Sequence, residues 1–214
     1  VTPSEVITEV RRLIQDTRAP LRYSDETLLG FVNQTLNRMV VLRPDLFSVL
    51  GELSVTSGSA VQQLPEGAIR LVEIFYVKDG SALSEVDWFM MNRSSPNWPA
   101  ATPGTPVNYM RHVRNPTRYF LYPPPVAGTT LVAEYTNTPP EYELDEEIAV
   151  LPDAYMPALI DGTVFLAESI DNEHVNSGRA KMFQDSFTQL LGVSLQARVV
   201  TDTHSAGLEP EQVI

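Results

Sequence analysis

The chain has 214 residues, 43% of them hydrophobic and 20% charged, which is enough apolar material for one large domain or two small ones and argues against disorder throughout. Its net charge of −12 argues against tight, non-specific nucleic-acid binding, which runs on Lys and Arg neutralising phosphates. The absence of cysteine excludes disulfides, thiolate catalysis and Cys-ligated zinc, no window reaches the ~18 apolar residues of a bilayer-spanning helix, and Val1-Thr2-Pro3-Ser4 lacks the basic start and apolar core expected of a secretory signal.

Taken in chain order, Thr2-x-x-Glu5 with Pro3 reads as a capping box opening a helix. Val6, Ile7, Val10, Leu13 and Ile14 make its apolar stripe, and Ala19-Pro20 is expected to end it. Ser24 or Asp25 caps a second helix, striped by Leu28, Leu29, Val32, Leu36, Met39 and Val40 and stopped by Pro44. The pattern changes near Phe47. Leu53 and Val55 alternate with polar neighbours, residues 69–78 read as a strong strand, and Asp79-Gly80 reads as a two-residue hairpin turn. Residues 86–92 allow one short helical turn. Residues 93–106 form a proline-rich loop with no regular structure expected. Strands follow at 107–114 and 117–122, joined at Asn115-Pro116, and at 130–136 after the turn Pro123-Pro124-Pro125.

Residues 141–147 form a linker with five carboxylates. Helix returns at Leu151-Pro152-Asp153, with Leu159, Ile160, Val164, Leu166, Ala167 and Ile170 too dense to be exposed. Asp171-Asn172 reads as a joint. Val175, Met182, Phe183, Ser186, Phe187, Leu190 and Leu191 mark a last helix, stopped by Gly192. Helix pairs at both ends each need a partner for an apolar stripe, so the expected fold is α+β: a helical bundle of N- and C-terminal helices, an inserted antiparallel, sandwich-like β domain of five to seven strands, and an extended C-terminal tail. The expected boundaries are 1–48 and 150–192 for the helical domain, 49–149 for the β domain, and 193–214 for the tail. The tail has little core-forming pattern, so another chain is expected to hold it.

The acidity is concentrated. Residues 1–50 carry six basic and six acidic side chains, residues 51–142 six and eight, and residues 143–214 three and thirteen. A block that dense must be solvated or face a basic partner. Positive charge gathers at Arg111, Arg114 and Arg118 beside the Asn115-Pro116 turn. Docking of that tip on an acidic patch of a neighbouring copy, such as the acidic C-terminal third, is one reading; a solvated hairpin end is the other.

Enzyme signatures are missing: no Gly-x-Ser-x-Gly elbow, no Ser-x-x-Lys, no Walker loop and no G-x-G-x-x-G. Carboxylate spacing alone cannot pick a hydrolytic pair from 27 acids. His112, His174 and His204 lie far apart, and His112 reads as a strand residue bonded to a backbone carbonyl. Glu168, Asp171 and His174 share a helical track that could hold a metal, but the joint at Asp171-Asn172 makes helix caps of such residues instead. No enzyme activity, cofactor or metal is therefore expected. Aromatics crowd the β domain, and Trp98, Tyr109 and Tyr119 are either its packing or a solvent-facing platform for a glycan or peptide.

A resemblance rests on an order of weak motifs: Trp98-Pro99, Gly104-Thr105-Pro106-Val107-Asn108-Tyr109, Tyr119-Phe120-Leu121-Tyr122-Pro123-Pro124-Pro125, the strand ending at Tyr135, Pro139-Pro140, and Leu151-Pro152-Asp153-Ala154-Tyr155. With Tyr23-Ser24-Asp25-Glu26-Thr27-Leu28-Leu29 before them and Ala167-Glu168, Ala180, Phe183 and Phe187 after, the chain resembles tailed-phage head-to-tail adaptor (connector) proteins of short-tailed viruses over residues 3–192. The resemblance implies a structural virion protein at the head–tail junction, made in the host cytoplasm. It implies a homo-oligomeric ring, a dodecamer like the portal, which binds the portal protein above and a tail tube, nozzle or fibre-bearing protein below. DNA would pass without tight binding, and no membrane is involved. The contact residues expected, chosen as exposed, charge-dense or loop positions, are Arg111, Arg114, Arg118, Trp98, Tyr109, Asp145, Glu146 and Glu147, with Leu195, Val199, Leu208 and Val213 in the tail. The alternative reading is a glycan- or peptide-binding module on a virion or cell-surface-associated protein.

Overall fold

A computed structural model of the chain describes residues 1–170 and 177–192. They divide into two units. One takes Val1–Leu36 and the described residues from Tyr142 on; the other is Asn37–Glu141.

The first unit is helical. Helix α1 (Pro3–Ile14) opens on the expected capping box, with the Thr2 hydroxyl accepting from the Glu5 N–H and the Glu5 carboxylate accepting from the Thr2 N–H. It ends well before Ala19-Pro20. Gln15 takes a left-handed conformation (φ 59°), and its N–H bonds back to Arg11 and Arg12 carbonyls. The buried Asp16 carboxylate then organises the loop, accepting from Arg11 (2.7 Å), the Arg22 N–H (2.6 Å) and the Tyr23 N–H (3.2 Å). A side chain four residues before the proline therefore sets the stop. Helix α2 (Asp25–Leu42) is capped by Ser24, whose hydroxyl accepts from the Thr27 N–H at 3.1 Å.

Helix α4 (Met156–Glu168) enters through a 3-10 turn at Asp153–Tyr155, later than Leu151-Pro152-Asp153 alone implies. It is buried on more than one face, as its apolar density requires. Gly162 is the reason it fits: a Cβ there would lie 2.5 Å from Thr35 Cγ2 and 2.9 Å from the Phe187 ring. Thr163 donates to the Leu159 carbonyl at 2.7 Å, and Tyr23 donates to the Ala167 carbonyl at 2.7 Å. Helix α5 (Ser177–Leu190) packs through Ala180, Phe183 and Phe187, and Leu191 just after it is buried too. Met182 and Leu190, expected in its stripe, face solvent instead. Gly192 at φ 67° follows its end. The expected joint at Asp171-Asn172, Val175 and the tail at 193–214 lie outside the described residues.

The second unit carries seven strands: β1 (Ser48–Ser54), β2 (Val61–Gln63), β3 (Ala68–Val77), β4 (Ser84–Glu85), β5 (Asn108–Arg111), β6 (Arg118–Tyr122) and β7 (Thr130–Asn137). They form a three-stranded sheet, β1-β7-β3, and a four-stranded one, β2-β6-β5-β4. The strand pairs are antiparallel, as expected, except the two-residue pair β4–β5, which is parallel. The exception follows from the turn after β3. Val77 and Ser81 bracket a three-residue loop, not the two-residue turn expected, with Asp79 at φ 59°, and the chain then crosses to the other sheet.

The sheets face each other through Leu53, Leu71, Ile74, Leu131 and Ala133 on one side and Tyr109, Tyr119 and Leu121 on the other. Beyond the second sheet, a short helix α3 (Trp88–Ser94) and a 3-10 turn at Trp98–Ala100 inside the proline-rich loop cover Met110, Phe120 and Tyr122 with Met91 and Trp98. Strand β3 buries every third residue, Ala68, Leu71, Ile74 and Val77. Its ten residues oppose seven of β7 because the register shifts three times, at bulges between Ala68/Arg70, Leu71/Glu73 and Ile74/Tyr76.

Candidate functional site

The basic hairpin is divided by strand alternation. Arg111 pairs in register with Tyr119 and shares its face, toward the three-stranded sheet. Its guanidinium meets Glu85 at 2.8 Å and donates to the carbonyls of Leu71 and Val72. Burial works against that charge, but Glu85 outweighs it and raises the Arg111 pKa above its ordinary value. Arg118, one residue before Tyr119, points to the opposite face, where it is exposed and donates to Gln63 Oε1 at 3.2 Å. Arg114 is exposed at the turn. The expected three-arginine spot is therefore corrected to two exposed arginines and one that joins the sheets. His112 holds this tip, but as an acceptor: its Nδ1 takes the N–H groups of Arg114 (3.1 Å) and Asn115 (3.0 Å), the reverse of the carbonyl partnership expected. Its ring stacks on Phe120 with centroids 5.5 Å apart.

Trp98 and Tyr109 are 4% and 2% exposed, and Tyr119 is fully buried. Trp98 Nε1 donates to Asn92 Oδ1 at 2.8 Å, and the Tyr109 hydroxyl donates to Glu85 at 3.2 Å. These side chains are packing, which corrects both the expected contact role of Trp98 and Tyr109 and the solvent-facing platform of the ligand-binding reading. Among the aromatic and apolar side chains that do face solvent are Phe89 and Met90 on α3, Tyr76 on β3 and Leu50 on β1, none of them among the expected contact residues. Trp88 meets Phe89 edge-on at 5.0 Å. Their signal lay in sheet register and in which face of α3 covers the second sheet, neither of which a linear pattern carries.

The acidic stretch is anchored at both ends. Tyr142 and Ile148 are buried, while Glu141, Glu143, Asp145, Glu146 and Glu147 are exposed. The Asn33 side chain brackets the Tyr142 backbone, the Ser4 N–H donates to the Leu144 carbonyl at 2.9 Å, and the Ile148 N–H donates to the Val1 carbonyl at 2.8 Å. The segment thus runs past the N-terminal turn of α1, whose partial positive charge suits carboxylates. The face holding Asp145, Glu146 and Glu147 is a fixed acidic surface. Leu195, Val199, Leu208 and Val213 lie outside the described residues.

Nothing in the described residues assembles catalytic groups. Two hollows among the described residues, of about 270 and 280 Å³, are open. The first is lined by Asp45, Arg70, Arg111 and Glu134 among others, with Asp45 held by Arg43 and Arg111 by Glu85. No group of three His, Asp or Glu side chains that could hold a metal occurs among the described residues. Glu168 is buried beside Arg179 at 3.8 Å, whereas Asp171 and His174 lie outside those residues. No described helix is long and apolar enough to cross a membrane.

Family comparison decides the class: the SU10 adaptor protein family matches residues 1–210. The chain belongs to the SU10 adaptor protein family. It is a phage adaptor, a structural protein of the virion with a head–tail role. The adaptor matches no curated protein. Among solved structures, it is similar to a chain of the neck of an empty GTA particle computed with C6 symmetry, at 14% identity and a TM-score of 0.30 over 87% of this chain and 91% of that one.

Proposed function

We propose that this adaptor works as a ring of identical copies between the portal and the tail of a short-tailed phage. The observation that carries the reading is the family match over residues 1–210. The division of charge supports it: a fixed acidic surface at Asp145, Glu146 and Glu147 and two exposed arginines, Arg114 and Arg118, at the hairpin tip. Surfaces of opposite sign on one chain suit a head-to-tail contact between copies, the kind that closes rings.

The ring is proposed to hold twelve copies, to bind the portal on one side and a tail tube, nozzle or fibre-bearing protein on the other, and to let DNA pass without holding it. Acidic surface facing the channel would repel the genome. The helical domain is proposed as residues 1–48 and 150–192, the β domain as 49–149, and the tail, 193–214, as the segment that reaches another chain. The reaction-free character of the chain belongs to the same proposal. Pull-down of purified adaptor on immobilised portal tests it. Stoichiometric capture is expected, and absence of binding at micromolar concentrations contradicts it.

A further inference from the structure

We infer that two unassembled copies of the adaptor pair through the outer edges of β1, antiparallel, about a two-fold axis at Gly51. The inference goes beyond the ring proposed above and does not rest on it. In the sheet β1-β7-β3 both β1 and β3 are edges. The β3 edge is covered: Arg111 donates to the Leu71 and Val72 carbonyls, the Leu71 N–H bonds the Pro116 carbonyl at 3.2 Å, and the Leu83 N–H bonds the Phe75 carbonyl at 3.0 Å.

The β1 edge is open. Its seven residues pair with β7 in unbroken register, without a bulge. The Ser48 N–H turns away from β7 to bond the Asp45 carbonyl. On the far side of β7, the Thr130 carbonyl accepts from the Lys78 N–H at 2.8 Å, so Ser54, which faces Thr130, also turns its backbone groups outward. Strand alternation gives Leu50 and Glu52 the same orientation. None of the outward groups of Leu50, Glu52 and Ser54 has a partner among the described residues. Native edges are shielded by charge, proline, bulges or a covering element, because an open one is a template for pairing. Here the sole charge is Glu52, tied to Lys78 at 2.7 Å, and beside it stands Leu50, at 69% the most exposed large hydrophobic residue described.

The occupant is a second copy because β1 complements itself when reversed. In Ser48-Val49-Leu50-Gly51-Glu52-Leu53-Ser54, a two-fold axis at Gly51 sets Ser48 opposite Ser54, Val49 opposite Leu53 and Leu50 opposite Glu52. This register also matches outward groups to outward groups. Leu50 and Glu52 of the second copy exchange both N–H···O bonds, and the Ser54 N–H reaches the Ser48 carbonyl. On the inner face, half-buried Val49 gains Leu53 of the other copy as a neighbour. On the outer face, Leu50 lies against the methylenes of the opposing Glu52 and diagonally against the other Leu50. The two Glu52 carboxylates never face each other; an axis at Glu52 would put them directly opposite. Gly51 suits the axis, since the Tyr135 hydroxyl of its own copy lies 3.0 Å from where a Cβ would stand. Such a contact is isologous, whereas cyclic rings close through heterologous ones. The pair therefore belongs to the unassembled adaptor and hides a strand edge that would otherwise template aggregation.

The absence of native cysteine makes disulfide trapping clean. Full-length Leu50→Cys and Glu52→Cys adaptors are oxidised separately and as a mixture, without portal, and run without reductant. Directly opposed residues bring their Cβ atoms within about 5.5 Å, whereas diagonal ones stay too far apart for a disulfide, so the mixture is expected to give a two-chain band at least about tenfold stronger than either variant alone. Light scattering on the unsubstituted adaptor is expected to show mass rising from one chain toward two with concentration. Leu50→Pro removes an outward N–H that the fold does not use, and Leu50→Glu sets a carboxylate opposite Glu52. Both variants are expected to stay single chains with the thermal midpoint nearly unchanged. An unsubstituted adaptor that stays a single chain throughout the micromolar range overturns the inference. So does a dimer that survives both substitutions, or a band no stronger in the mixture than in Leu50→Cys alone. None of these results bears on capture by the portal, which tests the ring.

Discussion

Tyr119 sits fully buried between the two sheets, and its hydroxyl has no hydrogen-bond partner among the described residues. A buried polar group without a partner costs free energy, so Tyr119→Phe should raise the stability of the second unit by about 1 kcal/mol in denaturant titration. Burial also raises the Tyr119 pKa above the ordinary 10.0. A raised folded-state pKa gives stability that is complete below the unfolded value and lost as pH rises toward the folded one. The wild-type β unit should therefore weaken above about pH 10, and Tyr119→Phe should flatten part of that alkaline fall. Tyr109, raised first by burial and then by Glu85, adds to the same limb.

Arginines three and four residues apart behave differently for a comparable reason of place. Arg111→Ala strips a partner from Glu85 and a donor from β3, and should cost about 1–2 kcal/mol once partial exposure is allowed for. Arg114→Ala with Arg118→Ala should leave the thermal midpoint nearly unchanged. It should weaken assembly, and what assembly remains should depend less on salt. The sequence put all three in one spot because composition counts charge and does not know which side of a pleat carries it. Likewise Trp98 and Tyr109 read as possible contact residues because aromatic type does not distinguish a core from a platform.

At the scale of elements, helix starts were legible in side-chain chemistry: the Thr2/Glu5 capping box and Ser24 both act as their spacing implies. The end of α1 was not, because the Asp16 carboxylate reaches six and seven residues forward to fix its loop. Strand β3 was legible as a strand, but its three bulges, and with them the choice of Arg70, Glu73 and Tyr76 for the outer side, depend on pairing with a strand more than fifty residues away. In the bundle, Gly162 leaves no room for a Cβ. Gly162→Ala gains helix propensity but drives a methyl into Thr35 and Phe187, neither of which can withdraw without moving a helix. The net loss should be about 1–3 kcal/mol by thermal or chemical unfolding, and Thr35→Ser, which removes the facing methyl, should recover part of it.

For the whole molecule, the α+β class was readable from the order of amphipathic helices and short strands, since each half of the helical pattern lacked a partner of its own. The adaptor role came from a succession of weak motifs, matched by the family over nearly the whole chain. The surfaces that would make contacts were the least legible part: Leu50, Phe89 and Met90 are ordinary apolar residues until the fold leaves them outside. The proposed ring is tested most directly by the mass of the adaptor–portal complex, measured by native mass spectrometry on purified components. Twelve adaptor copies per portal ring is the result expected, and a portal that stays bare or carries scattered single copies would contradict it.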